Sequence, residues 1–205
     1  MTKIVQFLRR YGVRATLREM YFRARNTYCR WHMIAAGARV GRGVWFDGPV
    51  EVRIRPGGSV TVGDGCNFGK YVHLKSGETG HIVIKDNVKV NRFCIVEAHS
   101  AVTLEHDVLT APYVHVLDAD HNFSSHLPVK EADRVFGTLK RPVHIGAHVW
   151  LGSGVKVLAG VAIGAHAVVG ANAVVTRDIP PYAIAAGVPC KVLKIREGKP
   201  DEVTP

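Results

Sequence analysis

The residues best suited to chemistry lie in one short run, Asp118-Ala119-Asp120-His121-Asn122-Phe123. An imidazole titrates near neutrality, so His121 can take a proton from a hydroxyl group and return one to a leaving group. The carboxylates of Asp118 and Asp120 could contact a substrate or orient the imidazole, although acidic residues are also common in turns because they form local hydrogen bonds. His121 is therefore the first candidate for a general base.

A histidine alone is a weak signal in this chain, which has 11 of them. Loop histidines are often bystanders, so the residue type does not separate His121 from its competitors. The competitors are His99, His106, His115, His144, His148 and His166. Most of them occupy outward positions of a repeat, where a solvated side chain is the default. The position of His121 relative to that repeat must decide.

The repeat has a period of six residues and is clearest near the end of the chain. Small or aliphatic residues follow four places after each leading aliphatic residue, a pattern that fits neither a helix nor one long strand but suits short strands joined by tight corners. The leading residues there are Ile145, Leu151, Val157, Ile163, Val169 and Val175. The spacing predicts an all-β solenoid.

Three hexads make one coil, and the register can be traced back through six coils. The predicted coils open at Val40, Val62, Ile84, Leu104, Ile145 and Ile163. One large interruption, Leu117–Val143, separates the fourth coil from the fifth and contains His121. A long irregular insertion in a compact repeat is usually functional, which favours His121 over the other histidines.

Composition indicates one main soluble domain, since 205 residues with 47% hydrophobic content can bury a substantial core. The uncharged stretch between Lys156 and Arg177 keeps the hexad register, so we interpret it as strands and not as a membrane span. Arginines interrupt any secretory signal near the start, and the four cysteines lack disulfide or metal-ligand spacing. We expect a cytoplasmic protein that binds no nucleic acid.

Residues 1–35 carry most of the excess positive charge and predict two short amphipathic helices on either side of Gly12. Two interpretations stay open: a cap over the first coil, which solenoid ends require, or peripheral contact of a basic face with an anionic membrane. The first predicted stripe is Ile4, Phe7, Leu8 and Tyr11, and the second is Leu17, Met20, Tyr21, Ala24, Tyr28 and Trp31.

Several linked motifs resemble one family. The runs Pro142–Gly154, Gly160–Gly164, Val174–Pro181 and Ala186–Lys191 are similar to those of the hexapeptide-repeat acyltransferases, especially the galactoside, maltose and colanic-acid type and the polysaccharide or lipopolysaccharide O-acetyltransferases. This resemblance implies a left-handed parallel β-helix, acetyl-CoA as co-substrate, and a homotrimer with active sites between subunits. The family's catalytic histidine lies nine residues after an Ala-Pro pair; Ala111-Pro112 places it at His121.

The resemblance also implies roles for other residues. A backbone N–H at Ser153 would stabilise the oxyanion, Trp150 would line the acyl region, and Asn91 would lie beside the acceptor sugar, although a corner position and packing between subunits explain Asn91 and Trp150 equally simply. The residues matched to CoA contacts are Ala171, Thr176, Arg177, Lys191 and Lys194. Arg177 and Lys191 could instead be ordinary solvated charges.

The sequence departs from the family pattern at His99, where galactoside enzymes carry an acid near the acceptor, which argues against a simple galactoside acceptor. We expect a helical cap over residues 1–35, a β-helix domain over 36–190 with an inserted loop at 117–143, and a tail over 191–205. The predicted activity is O-acetylation of a sugar hydroxyl in a cell-surface polysaccharide or its precursor. The alternatives are N-acetylation of a nucleotide-linked amino sugar, a non-catalytic platform, and a γ-type zinc carbonic anhydrase using His115, His121 and His126.

Overall fold

The computed structural model describes residues 3–123 and 126–197, and for residues 3–11 and Phe136 it describes the backbone. The side chains of the first predicted apolar stripe, Ile4 to Tyr11, therefore lie outside the described part, as do residues 198–205 of the predicted tail. Within these described residues, a helical segment, α1 (Lys3–Ala35), precedes 22 strands and one further helix.

The strands follow one another around a three-sided prism. Those of the first three coils are β1 (Arg39–Val40), β2 (Trp45–Phe46), β3 (Val50–Ile54), β4 (Ser59–Val62), β5 (Asn67–Phe68), β6 (Val72–Ser76), β7 (His81–Ile84), β8 (Lys89–Val90) and β9 (Ile95–Ala98). Those of the last three are β10 (Ala101–Leu104), β11 (Leu109–Thr110), β12 (His115–Leu117), β15 (Val143–Ile145), β16 (Trp150–Leu151), β17 (Lys156–Val157), β18 (Ala162–Ile163), β19 (Val168–Val169) and β20 (Val174–Val175).

Each face of the prism is a parallel sheet that takes one strand from every coil. Face 1 runs from β1 to β18, face 2 includes β2 to β19, and face 3 runs from β3 to β20. The register pairs Val40 with Val62, Val62 with Ile84, and Leu104 with both Ile84 and Ile145. The six predicted coil openings are thus confirmed, and the prism is the left-handed parallel β-helix that the resemblance implied.

The core is a continuous column of inward side chains along the prism axis. Leading residues such as Leu104, Ile145 and Ile163 are 0% exposed, and the small residues four places later, such as Val149 and Ala167, are equally buried. Large aliphatic groups fill the flat walls while slim groups fit near the corners, which is the reason for the hexad pattern.

The insertion has secondary structure of its own, so the predicted inserted loop is only partly irregular. It leaves the corner between faces 3 and 1 and contains β13 (Ala119–Asp120), α2 (Val129–Phe136) and β14 (Leu139–Lys140). Strands β13 and β14 form an antiparallel pair, in which Asp120 lies opposite Leu139. The two ends of the insertion therefore leave and rejoin the prism side by side.

The α1 segment caps the open first coil through polar side chains. The Arg25 guanidinium donates from Nη2 to the carbonyl of Phe46 at 2.7 Å, and the Oδ1 atom of Asn26 accepts the N–H of Phe46 at 2.7 Å. Arg30 donates to the carbonyl of Val40 at 2.9 Å. These bonds satisfy backbone groups at the end of the solenoid, which is what a capping segment must do.

The helical segment breaks at Gly12 (φ 80°), as the two predicted helices require, but the expected packing face is different. Among residues 12–35 of this segment, Cys29 and Met33 are the buried apolar residues, at 4% and 0% exposure. The second predicted stripe points away from the prism, because Leu17, Tyr21 and Trp31 are each at least 60% exposed. A periodic apolar stripe therefore does not mark the capping face here.

The end of the described chain extends face 2 instead of forming a separate tail. Strand β21 (Ala183–Ala186) continues the face, and β22 (Lys191–Ile195) pairs with it in an antiparallel register. The uncharged segment between Lys156 and Arg177 forms coil strands, and within residues 3–123 and 126–197 no helix is long and apolar enough to cross a membrane. All four cysteines are free, and burial raises the pKa of Cys66 to about 11.

Candidate active site

His121 follows β13 at the outer end of the insertion stem. Its side chain is 76% exposed, while the Asp133 side chain that bonds to it is 19% exposed. The ring Nδ1 forms a short hydrogen bond with Oδ2 of Asp133 on α2. Because a carboxylate only accepts, this contact places the proton on Nδ1 and leaves the Nε2 lone pair of the neutral ring as the basic site.

Asp133 is itself held in position by the chain beside His121. The backbone N–H of Asn122 donates to its Oδ1 at 2.6 Å, and this bond, followed by that from the His121 imidazole, holds the pKa of the Asp133 carboxyl below its usual range. The Asn122 amide donates to the carbonyl of Gly137 at 3.3 Å, just past the end of α2. The helix and the histidine therefore form one hydrogen-bonded unit.

No feature of the sequence singled out Asp133, which lies 12 residues after His121 in a charged helix. The carboxylates that the sequence did suggest, Asp118 and Asp120, do not bond to the imidazole. Asp120 is half-buried on β13 directly before His121. The pairing of β13 with β14 could have pointed to Asp133. This pairing brings the two ends of the insertion together, so α2, which lies between the two strands, stays close to the start of the insertion.

Asp118 is a structural residue, so its predicted contact with substrate is wrong. Its side chain is 0% exposed and accepts the backbone N–H groups of His99 at 2.7 Å and Ser100 at 2.8 Å. Its own carbonyl accepts the N–H of Arg141 at the return of the insertion. A buried carboxylate satisfied by backbone donors fastens the insertion to the neighbouring coil and is closed to a sugar.

The corner between faces 2 and 3 presents two free backbone donors. In the turn after β16, Gly154 donates to Pro112 and Val155 donates to Gly152, which leaves the exposed Ser153 N–H without a partner among the described residues. The turn after β19 repeats this arrangement one coil later, where Ala171 is the exposed residue. A backbone N–H that points outward is the kind of group that stabilises an oxyanion or binds an amide carbonyl.

Asn91 lies at the same corner, three coils before Ala171. Its N–H donates to the buried hydroxyl of Thr110 at 3.0 Å, and its Oδ1 accepts the N–H of Arg92 at 2.8 Å. These bonds fix the side chain and leave the amide Nδ2 as a donor toward solvent. Asn91, Ser153 and Ala171 therefore form one column along this corner.

The remaining predicted site residues lie toward the last coil. Trp150 is 48% exposed on face 2, between Leu109 and Val168. Thr176 and Arg177 are exposed after β20, at the corner between faces 3 and 1. Lys191 and Lys194 are exposed on β22, opposite Ala186 and Ile184. The cations thus lie at the end of the prism beyond the insertion.

A single chain does not bring the predicted site together. His121 leaves the corner between faces 3 and 1, whereas Ser153, Ala171 and Asn91 lie along the corner between faces 2 and 3. The whole width of face 3 separates the two groups. Within one copy of the chain, an active site that uses both corners would have to span face 3.

The three histidines of the zinc alternative are also dispersed. His115 is half-buried on face 3, where burial and then Lys156 lower its pKa, while His121 and His126 belong to the insertion. Across residues 3–123 and 126–197, the side chains close enough to share a cation are His106, Asp107 and His148. These three lie at the corner between faces 1 and 2, away from His121.

Comparison with known sequences gives a consistent result. A profile of the family described as bacterial transferase hexapeptide (six repeats) matches residues 142–177. The chain is 37% identical over 145 residues to the putative lipopolysaccharide biosynthesis O-acetyl transferase WbbJ of Escherichia coli, covering 69% of this chain and 74% of that protein. It is 35% identical over 136 residues to the probable acetyltransferase Rv3034c of Mycobacterium tuberculosis, covering 63% of this chain but 44% of that longer protein.

Solved structures share the prism. A galactoside acetyltransferase in complex with coenzyme A is 28% identical with a TM-score of 0.50, covering 77% of this chain and 64% of that one. AntD, an N-acyltransferase from Bacillus cereus in complex with dTDP and 3-hydroxybutyryl-CoA, has a TM-score of 0.67 at 18% identity, covering 82% and 88% of the two chains, and shows the fold alone. The hexad prism, the matched profile and the WbbJ alignment together establish that this chain belongs to the hexapeptide-repeat acyltransferases.

Proposed function

We propose that this chain transfers the acetyl group of acetyl-CoA to a hydroxyl group of a sugar in a cell-surface polysaccharide or its precursor. The observation that carries this proposal is the exposed imidazole of His121, held at Nδ1 by Asp133 and open at Nε2. Neutral imidazole with one nitrogen fixed by a carboxylate is the arrangement that general-base catalysis requires. The relatives named as O-acetyltransferases support a hydroxyl acceptor.

In the proposed mechanism, Nε2 of His121 accepts the proton of the sugar hydroxyl as its oxygen attacks the thioester carbonyl carbon. The Ser153 N–H of a neighbouring copy donates to the oxyanion that forms. When the carbon–sulfur bond breaks, the imidazolium returns its proton to the departing thiolate. Asp133 stabilises the protonated ring between these two steps. Because the sugar oxygen attacks the thioester directly, no acyl-enzyme forms.

The donor would be held by the column of Ser153 and Ala171 and by groups beyond it. The free N–H of Ala171 suits an amide carbonyl of the pantetheine arm, and its small side chain allows close approach. Trp150 would line the acyl region from face 2. Thr176, Arg177, Lys191 and Lys194 supply the hydroxyl and cations that suit the phosphates of CoA.

The separation of the two corners supports a homotrimer, which places the insertion of one copy against the neighbouring corner of the next. Coexpression of two inactive variants tests this directly. His121→Ala removes the base, and Ser153→Pro removes the N–H at a turn position that accepts proline. If the two groups come from different copies, random mixed trimers should recover about a quarter of the wild-type sites. No recovery in mixed trimers would place both groups in one copy.

The activity is tested by thiol release from acetyl-CoA against a panel of sugars and amino sugars, with hydroxylamine treatment of the product. An O-acetyl ester is cleaved by hydroxylamine, so a sensitive product supports the proposal. A resistant product formed from amino sugars alone would instead indicate an N-acetyltransferase. Zinc-dependent hydration of carbon dioxide without thiol release would indicate the carbonic anhydrase alternative.

We further propose that α1 contacts an anionic membrane surface on the cytoplasmic side, where a lipid-linked precursor would be presented. The exposed Leu17, Tyr21 and Trp31, together with the cations of the same segment, support this contact. Replacing these three residues with Gln leaves the capping residues Arg25, Asn26 and Arg30 in place. After sedimentation with anionic liposomes, the wild-type protein should be in the pellet and the variant should not. An equal bound fraction for the wild type and the variant would contradict the proposal.

A further inference from the structure

A cleft of about 420 Å³ opens on face 3 beside the stem of the insertion. We call it the cationic cleft, because the side chains of Arg53, Arg55, Lys75 and Lys140 line it. Two carboxylates, Glu78 and Glu97, are also in its wall, so positive charges outnumber negative ones two to one. The members of this cluster come from four separate segments, so no local sequence motif marks it.

The carboxylates in the wall only loosely neutralise the cations. Glu78 lies 3.7 Å from Arg55, with both side chains 73% exposed, a geometry in which an ion pair contributes little. Glu97 is shared: its Oε2 lies 3.8 Å from Lys75 and its Oε1 lies 3.2 Å from Nε2 of His99. Each contact leaves most of the donor capacity of the cation toward the cleft.

The strand register places two like charges side by side. Arg53 on β3 and Lys75 on β6 are direct neighbours in face 3, and such pairs repel. The carboxylate closest to Arg53 is Glu51 on its own strand, at 2.5 Å, outside the cleft lining. An anion bound between Arg53 and Lys75 would offset the repulsion, so the site is suited to a negatively charged group.

The cleft reaches the candidate base. Asp120 pairs with Leu139 in the antiparallel stem, so the next residue outward on each side puts Thr138 across from His121. Thr138 also lines the cleft, and Lys140 donates to the Thr79 hydroxyl at 3.3 Å across to the coil. One end of the cleft is therefore formed by the stem residue that lies across from His121, and the cleft extends from there along the wall of the earlier coils.

The cleft and the candidate CoA residues lie on opposite sides of His121 along the prism axis. Arg53, Lys75 and Glu97 belong to the first three coils, and the insertion leaves after the fourth. Ser153, Ala171 and the cations proposed for the CoA phosphates belong to the last two coils and beyond. A base placed between the two regions can receive the donor from one side and the acceptor from the other.

We propose that the cationic cleft binds the acidic group of an anionic acceptor sugar, either a carboxylate or a phosphate, and presents its hydroxyl to His121. This proposal rests on the proposed acetyl transfer and adds the class of acceptor. His99 also supports this proposal. Where galactoside enzymes carry an acid, this chain has a side chain without a permanent negative charge. Lys75 and Arg53 are then specificity-determining residues for acceptor charge.

The test compares kcat/KM for acceptors that keep the same ring and C6 hydroxyl groups: methyl galactoside with carboxymethyl galactoside, and methyl glucoside with glucose 1-phosphate. The acidic member of at least one pair should be preferred about tenfold or more, as one charged hydrogen bond allows, and the preferred pair identifies carboxylate or phosphate. Lys75→Gln and Arg53→Gln should each reduce this preference about tenfold, while Lys75→Arg should retain most of it. Lys85→Gln, at an exposed corner between faces 1 and 2, is the control cation.

The selectivity ratio separates this proposal from a general loss of activity. Equal kcat/KM for neutral and acidic acceptors would overturn the cleft assignment and leave acetyl transfer standing. A rise in KM for acetyl-CoA in Lys75→Gln, with the acceptor ratio unchanged, would assign the cleft to the CoA phosphates and also overturn it. If no sugar releases thiol, calorimetry with galacturonate and glucose 1-phosphate still tests the cleft: binding that Lys75→Gln weakens supports it, and absence of binding contradicts it.

Discussion

The corners of the prism differ in what they allow. The corner between faces 2 and 3 is a column of tight turns, in which Gly154 donates to Pro112 and Asn172 donates to Ser153, coil upon coil. The corner between faces 3 and 1 varies from coil to coil and holds the insertion of residues 118–142. The conformation of each turn between faces 2 and 3 is determined by the turns of the neighbouring coils. The conformation of the chain between faces 3 and 1 is not determined in this way.

The difference separates two kinds of catalytic group. The fixed corner can present backbone N–H groups at a regular spacing, because each turn is held by the turns above and below it. The variable corner can hold a side chain such as His121 on elements that no other coil has, but it must build its own support from Asp133 and Asp118. In the proposed mechanism, the repeat supplies the backbone N–H donors at the fixed corner, and the insertion supplies the base His121.

The largest effect is expected from the variable corner. His121→Ala removes the proposed base and should reduce kcat by about a hundred- to ten-thousandfold, which is the usual contribution of general-base catalysis. The side chain is 76% exposed, so losing its bond to Asp133 should lower the free energy of unfolding only slightly. Turnover is followed by thiol release, with His126→Ala as the control for an exposed histidine in the same insertion. Near-normal turnover by purified His121→Ala would remove this residue from the mechanism.

Asp118→Ala should weaken the join between the insertion and the prism. Two backbone N–H groups, those of His99 and Ser100, lose a fully buried acceptor, so the free energy of unfolding should fall by about 2–4 kcal/mol. Asp118→Asn keeps one acceptor oxygen and should lose less. Urea unfolding measures both variants, and an unchanged midpoint for Asp118→Ala would show that the insertion is held by other contacts.

Asp133→Asn tests the support of the imidazole. Losing a charged hydrogen bond that forms on protonation should reduce kcat about ten- to a hundredfold, with KM for acetyl-CoA unchanged. Asp133→Glu should recover part of the rate, because it restores a carboxylate that can accept the Nδ1–H of His121. A urea midpoint for Asp133→Asn that falls together with kcat, without recovery of either in Asp133→Glu, would indicate that Asp133 only maintains the fold of α2.

The fold could be predicted from sequence because its signal is periodic. A residue such as Ile163 is aliphatic for the same packing reason as Leu104 and Val62, so each coil repeats the evidence of the others. The site is harder because its contacts are not repeated. The bond between His121 and Asp133 depends on how β13, β14 and α2 fold together, and sequence separation alone does not encode that.

Two errors have a common physical origin. Asp118 was assigned to substrate because it is close to His121 in sequence, yet its carboxylate turns inward to backbone donors. The stripe that includes Leu17 and Trp31 is exposed, because α1 turns Arg25 and Asn26 toward the open coil. These two side chains hydrogen-bond to backbone groups of the coil, and the apolar stripe does not cover it. In both places, unsatisfied backbone groups decided the packing.

The fixed corner should resist small changes that the variable corner would accept. Gly152→Ala would place a Cβ atom 2.7 Å from the backbone nitrogen of Ala171, so the two coils would have to separate. The free energy of unfolding should fall by about 1–3 kcal/mol, as in other overpacked sites. Ser153→Ala, at the next and exposed position, should stay within about 0.5 kcal/mol of wild type. Equal urea midpoints for the two variants would mean that the column is not rigid.

The smallest effect concerns the third corner, between faces 1 and 2, where His166 stacks between His148 and Tyr182, with ring centroids 4.7 Å from each. Burial, then His148, Arg196 and His106, lower the pKa of His166 from its ordinary 6.5, while Asp107 lies near His148. As pH falls, His166 is therefore protonated in the unfolded chain before it is protonated in the folded chain. The stability contributed by neutral His166 is complete above the ordinary pKa of 6.5 and decreases as pH falls through the lowered pKa. His166→Asn should reduce this loss between about pH 7.5 and about pH 5, measured as urea midpoints. Asparagine fits the left-handed backbone of this turn, since Asn87 has the same φ at the equivalent position, so an unchanged slope would assign the pH dependence to other groups.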